Sequence, residues 1–165
     1  EYKYSDLKDL TINDQVWPFI KKMLNSASNS DIKIYVQSAY RSFNEQGALK
    51  SQYSVIYGSG SANQFSADQG YSEHQLGTTV DLITTGLGGN LEGFEKTKAY
   101  EWLTNNAYKY GFILSYPKDN KFYIFEPWHW RFVGVNLATY LRNENKNFYD
   151  MEQRDIDEYL VSIFD

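Results

Sequence analysis

His74 and His129 are the only histidines in the chain, and each lies in a dense polar motif: Ser72-Glu73-His74-Gln75-Leu76-Gly77-Thr78-Thr79-Val80-Asp81 and Glu126-Pro127-Trp128-His129-Trp130-Arg131. Together the motifs supply two imidazoles, a carboxylate seven residues after the first and another three residues before the second. Imidazole nitrogen and carboxylate oxygen both suit zinc, and a catalytic zinc site uses three protein ligands so that a fourth position stays open to water. His74, Asp81 and His129 are the candidate ligands. Water on such a metal has its pKa lowered toward ~7 and needs a base beside it to take its proton. Glu126 is the candidate base.

These residues must be carried by suitable elements. A His and an Asp seven apart can share a helical face, but Gly77 and the run Thr78-Thr79-Val80 favour a loop that enters a strand. His74 is therefore expected on the loop and Asp81 on the strand, with Val80 and Leu82 facing the opposite way by the period of two. Pro127 removes a backbone donor and restrains Glu126 to extended geometry, which argues against the helical arrangement of an HExxH motif. Glu126 and His129 are expected at a bend, because an offset of three needs a turn or bulge to aim both inward. Glu73 is expected to be solvated, as is the acidic set Asp150, Glu152, Asp155, Asp157 and Glu158 on a terminal helix face.

Elsewhere the pattern predicts a helix over residues 16–24 that runs into an Asn/Ser-rich loop at 25–31, then an alternating strand at 32–38. Ser42 with Glu45 three residues on is a capping box, predicting a helix to about residue 54. A long loop is expected at 57–71 and a shorter one at 87–90. A helix at 97–110 should end at Gly111. Strands at 112–115 and 122–125 are expected to pair around a turn at 117–120, and helices at 136–142 and 153–163 to close the fold.

Composition narrows the function without deciding it. The 165 residues are expected to form one domain, 1–165, burying roughly 68–70% of the unfolded surface. With no cysteine there is no disulfide framework and no thiolate ligand, so a metal must be held by nitrogen and oxygen. A net charge of −5 with dispersed basic residues excludes a nucleic-acid binder, which needs clustered Lys and Arg. No stretch approaches the ~18 apolar residues of a membrane span. Glu1 in place of Met is expected of a processed, soluble chain that has lost any signal or anchor. Aromatic residues make up 18% of the sequence and are expected mainly in the core, with Trp128 and Trp130 fixing His129 by packing.

Three motifs carry a family resemblance: Ser38-Ala39-Tyr40-Arg41-Ser42 with Gln46, then Ser72-x-His74-x-x-Gly77-x-x-x-Asp81, then Glu126-Pro127-Trp128-His129-Trp130-Arg131. In this order, within a similarity running from about Trp17 to about Leu160, they resemble the VanY-type D-alanyl-D-alanine carboxypeptidases. That family belongs to a wider group of zinc peptidases that includes D-Ala-D-Ala dipeptidases and some phage endolysins. The resemblance implies an α+β fold with a small central antiparallel sheet flanked by helices and a zinc site in a cleft on the sheet. It implies one zinc ion held by His74, Asp81 and His129, with Glu126 as general base and Arg41 as the cation near the scissile carbonyl. Ser38, Gln46 and Ser72 are implied to help hold the substrate's terminal residues and carboxylate. The implied substrate is the stem peptide of peptidoglycan, losing its C-terminal D-alanine to a monomeric enzyme of the cell envelope or periplasm. An endolysin-like endopeptidase and a non-catalytic wall-binding module are the alternatives. The sequence departs from the family at Ser115, where many relatives carry Arg, and in Lys121-Phe122-Tyr123-Ile124-Phe125, where a Gly-Tyr pair is frequent. Both places flank the substrate cleft in the family, so substrate preference is the open point.

Overall fold

The helix that opens the fold, α1 (Trp17–Asn29), carries Pro18 in its first turn, where a missing N–H leaves no bond unmade, and buries Ile20, Met23 and Ala27 on one face. It continues past residue 24, through the stretch expected as a loop. Ala27 extends the buried stripe by one further turn, and that burial outweighs the weak helix propensity of Asn and Ser. This is a computed structural model, and it describes residues 10–58, 66–118, 120 and 123–164.

Strand β1 (Tyr35–Ser38) is shorter than expected and lacks a buried face. It lies at the sheet edge, and Gln37 is an extra residue in the ladder: Val36 pairs with Leu82 and Ser38 with Asp81. The capping box forms as expected, with the Ser42 hydroxyl accepting from the Glu45 N–H and the Glu45 carboxylate accepting from the Ser42 N–H, and α2 (Phe43–Tyr57) follows. Strand β2 (Thr79–Ile83) is buried along its whole length. Helix α3 (Lys98–Asn106) is capped by the Thr97 hydroxyl and tightens into a 3-10 turn, Ala107–Tyr110, that ends at Gly111 with φ 80°.

Strands β3 (Phe112–Leu114) and β4 (His129–Phe132) complete an antiparallel sheet in the order β1-β2-β4-β3. Here the expected hairpin is corrected. The partner of β3 is β4, and residues 123–125 belong to no strand. Their apolar run reads as a strand, yet Tyr123 and Ile124 stay exposed, and this segment pairs with the β3 side through Glu126 N–H donating to Tyr116 O. Parts of two expected connections lie outside the described residues: 119, 121 and 122 near the predicted turn and strand, and 59–65 in the predicted loop. Helices α4 (Val135–Glu144) and α5 (Gln153–Leu160) close the fold; α4 extends one residue before and two beyond its expected bounds, and α5 starts where expected and ends three residues early.

The sheet separates two apolar layers. On one face Val80, Leu82, Phe112, Trp130 and Phe132 pack with α1, Phe94 and α3 residues Ala99 and Leu103. The period of two turns Asp81, His129 and Arg131 to the other face. A second apolar cluster covers part of that face, built from Val133, Leu137, Ala138, Leu141, Phe148 and Ile156 and touched by Ile113. The uncovered part is a cleft of about 390 Å³. The fold is the expected α+β arrangement, with the His–Asp–His set on the sheet.

Candidate metal centre

Asp81 and His129 stand directly opposite each other on β2 and β4. His74 comes from a 3-10 turn, Glu73–Leu76, that stops at Gly77. Gly77 has φ 69°, a conformation open to glycine, and its carbonyl accepts from Asn13 N–H, which pins the turn beneath the sheet end. His129 follows a tight turn in which its own N–H donates to Glu126 O, so the offset of three is met by a turn at Pro127-Trp128. Trp130 is buried, and its indole N–H donates to Pro127 O at 3.0 Å, fixing that turn from the core side. This is the packing role expected for it.

Among the described residues, His74, Asp81 and His129 each offer a ligand atom, and these atoms all lie within 4.8 Å of one another. All three side chains are buried. The outer nitrogen of each ring is already engaged. His74 Nδ1 donates to Ala39 O at 2.6 Å, and His129 Nε2 donates to Glu73 Oε2 at 2.9 Å. The inner nitrogens therefore turn toward the carboxylate, with His74 Nε2 3.3 Å from Asp81 Oδ2 and His129 Nδ1 3.2 Å from Asp81 Oδ1. Asp81 Oδ1 makes no aligned hydrogen bond and is a buried acceptor without a donor. A buried carboxylate with two imidazole nitrogens against it is stable only where a proton or a metal cation lies among them. The donor set, two nitrogens and one carboxylate, fits zinc.

Electrostatics agree with that reading. Burial alone would raise the Asp81 carboxyl, but the two imidazoles beside it hold it far below the ordinary range. Burial would lower His129, yet its contacts with Asp81 and Glu73 raise it to about 10. Glu126 has its carboxylate 3.5 Å from His129 Nδ1, and its side chain is mostly buried. Burial pushes its carboxyl up to about 7, assisted by the charges of Asp81 and Glu73 and opposed by His129 and Arg41. A carboxyl tuned to that range can both take and return a proton near neutrality.

Glu73 corrects an expectation. It is 5% exposed rather than solvated, and its carboxylate binds His129 through one oxygen and Arg131 Nη1 (2.8 Å) and the Tyr149 hydroxyl (2.7 Å) through the other. Burial would raise its carboxyl, but the His129 bond and the Arg131 charge outweigh that and hold it at about 2. Both Glu73 and His74 are buried in the 3-10 turn, because protein packs on more than one side of it. The signal that could have found it is Arg131, a cation on the same strand face as His129 that needs a buried anion.

Arg41, Ser38, Gln46 and Ser72 all line the same cleft as the three ligands and Glu126. Arg41 donates from Nη1 to Gln46 Oε1 at 2.8 Å and from Nη2 to Ser38 Oγ at 3.3 Å. Gln46 is 1% exposed and donates its amide hydrogens to Ser66 Oγ and Ala67 O, so both ends of its amide are occupied and it orients Arg41. Ser72 precedes the His74 turn and is almost buried. Of the two departures from the family pattern, Tyr123 and Ile124 line the cleft. Ser115 does not: it is buried behind His129, its N–H approaching His129 O at 3.4 Å.

Three clustered residues that could hold a metal ion, a neighbouring carboxyl poised near neutrality and a cleft opening beside them form an arrangement suited to metal-assisted hydrolysis. Residues 9–135 match the profile of the VanY family, described as D-alanyl-D-alanine carboxypeptidase, and the chain belongs to that family. It is 34% identical over 128 residues to a D-alanyl-D-alanine carboxypeptidase of Enterococcus faecium, an alignment covering 75% of this chain and 38% of that protein. The chain spans half or less of the length of the curated relatives it matches first. Among solved structures it is similar to the LD-carboxypeptidase LdcB, with a TM-score of 0.77 at 28% identity, covering 94% of this chain and 76% of that one. It is also similar to a mutant of the vancomycin-resistance D,D-pentapeptidase VanY in complex with Zn(II), with a TM-score of 0.76 at 27% identity, covering 93% and 85%.

Proposed function

We propose that this chain is a zinc-dependent carboxypeptidase that removes the C-terminal D-alanine from peptidoglycan stem peptides. The observation that carries the reading is the convergence of His74 Nε2, His129 Nδ1 and the Asp81 carboxylate beside Glu126, at the floor of a cleft. Its volume, about 390 Å³, lies within the range of small-ligand sites and suits the end of a peptide. His74, Asp81 and His129 hold the metal, which when bound supplies Lewis acidity and lowers the pKa of a water toward ~7. Glu126 takes the proton of the attacking water and returns it to the leaving amine. Arg41, braced by Ser38 and Gln46, presents its guanidinium to the oxyanion that develops from the scissile carbonyl. Ser38 and Ser72 help hold the terminal residues and their carboxylate. The proposed substrate places the work outside the cytoplasmic membrane. Among the described residues no helix is long and apolar enough to cross a membrane.

The test is mass spectrometry of defined pentapeptide and tetrapeptide stems after incubation with zinc-loaded protein, with Glu126→Gln as the blank. Loss of one alanine from the pentapeptide alone assigns D,D activity, and loss from the tetrapeptide assigns L,D activity. Cleavage within the stem would replace the carboxypeptidase reading by an endopeptidase. Absence of any cleavage would leave a wall-binding module.

A further inference from the structure

Glu73 is gripped from a part of the chain that lies beyond the stretch matched by the family profile. That stretch ends at residue 135, and the short 3-10 turn Phe148–Asp150 follows helix α4. Two consecutive residues of this turn converge on Glu73. The Tyr149 hydroxyl donates to Oε1 at 2.7 Å, and the Phe148 ring lies 4.6 Å beneath the guanidinium of Arg131, which donates to the same oxygen at 2.8 Å. The other oxygen, Oε2, receives the His129 Nε2 hydrogen. Tyr149 also meets His129 by a second route, since its ring stacks on Tyr116 (6.1 Å between centroids) and Tyr116 stacks on His129 (4.5 Å).

We infer that Tyr149 is a positioning residue for His129, acting through Glu73, so that the metal centre depends on the turn after α4. The inference rests on the metal reading given above. A carboxylate that accepts only the His129 hydrogen can pivot about its own side chain. One that is also held at Oε1 by two donors from different elements has a fixed plane. That fixed plane sets the direction of the Nε2–H bond, hence the tautomer and tilt of the ring whose Nδ1 faces the metal. Groups that hydrogen-bond a ligating histidine change metal affinity by ~10–100-fold when removed. Tyr149 stands one bond further out, so its share is smaller.

The variant Tyr149→Phe removes the hydroxyl and keeps the ring stack. Zinc affinity is measured by competition with a chromogenic chelator, on wild type, Tyr149→Phe, Glu73→Gln and the double variant. Tyr149→Phe is expected to weaken zinc binding roughly three- to tenfold, below the range seen for groups bonded directly to the ligand. The same substitution in the Glu73→Gln background is expected to have little further effect, because the carboxylate it addresses is gone. A cobalt-loaded sample should show shifted absorption bands in Tyr149→Phe, since ligand orientation changes. Melting of the metal-free proteins reports whether folding is affected, and the cycle compares affinities in either case. Unchanged zinc affinity in Tyr149→Phe, or an equal loss in both backgrounds, would overturn the inference. Wild type that binds no zinc would remove the metal reading itself, a result distinct from equal binding by wild type and variant.

Discussion

A buried imidazole held between two carboxylates keeps its proton well above neutral pH, and His129, raised to about 10, is such a group in the metal-free protein. A metal takes the neutral ring, so binding must expel that proton. Calorimetric titration of zinc at pH 7 in buffers of different ionisation enthalpy should report release of about one proton per metal, and apparent affinity should rise with pH below 10. Release of none would mean that no protonated His129 gives way to the metal, whether because its ring is already neutral or because it is not a ligand. Glu126 makes a second prediction. Glu126→Gln should retain zinc by elemental analysis and lose turnover by ~10²–10⁴-fold. In the wild type the base must be ionised, so activity should fall as pH drops through its pKa. That value is about 7 without metal, and a nearby cation lowers it, which puts the acid limb of the rate profile below 7. That the two histidines, Asp81 and Glu126 lie together was legible, because two short motifs concentrate these residue types. Glu73 was not, because adjacency to a ligand says nothing of which way a side chain turns, and its partners Arg131 and Tyr149 lie 58 and 76 residues away.

At the scale of elements, local chemistry was legible wherever it is self-contained. The Ser42–Glu45 box starts α2, and Gly111 ends the helical stretch that Thr97 caps. What burial decides was not legible: α1 runs on to Asn29 for the sake of Ala27, and residues 123–125 leave the sheet although their types suit it. Gly111 gives the sharpest test. Its φ of 80° is strained for any L side chain, and a Cβ there would lie 2.6 Å from Phe132 Cε2 and 3.0 Å from the Gly134 carbonyl carbon. Gly111→Ala should therefore destabilise the fold by at least ~1–3 kcal/mol in urea unfolding, while zinc stoichiometry of the folded fraction stays unchanged. A loss below ~0.5 kcal/mol would show that β4 can shift to accept the methyl group.

For the molecule as a whole, fold class followed from three motifs in order rather than from composition, since one length and charge fit many α+β chains. The cleft draws on residues from Gln37 to His129, so no single window of sequence displays it. Binding that involves the folded state alone must stabilise it. Free zinc at ~100 times its Kd should add ~2.7 kcal/mol, seen as a higher Tm by scanning calorimetry and abolished by a chelator. An identical Tm with and without chelator would mean that the three ligand atoms hold no ion in the folded protein.

The pairing of Asp81 with His129 across β2 and β4 has a consequence for assembly of the sheet. Two of the three proposed metal donors form one rung of an antiparallel ladder. A slip of β4 by a single residue would turn His129 into the apolar layer and bring Trp130 to the cleft side. Such a mispaired molecule could still be compact, yet it would have no place for a cation. Occupancy of the site would thus act as proofreading: the ion selects chains whose strands have joined in the correct register and leaves the others without that stabilisation.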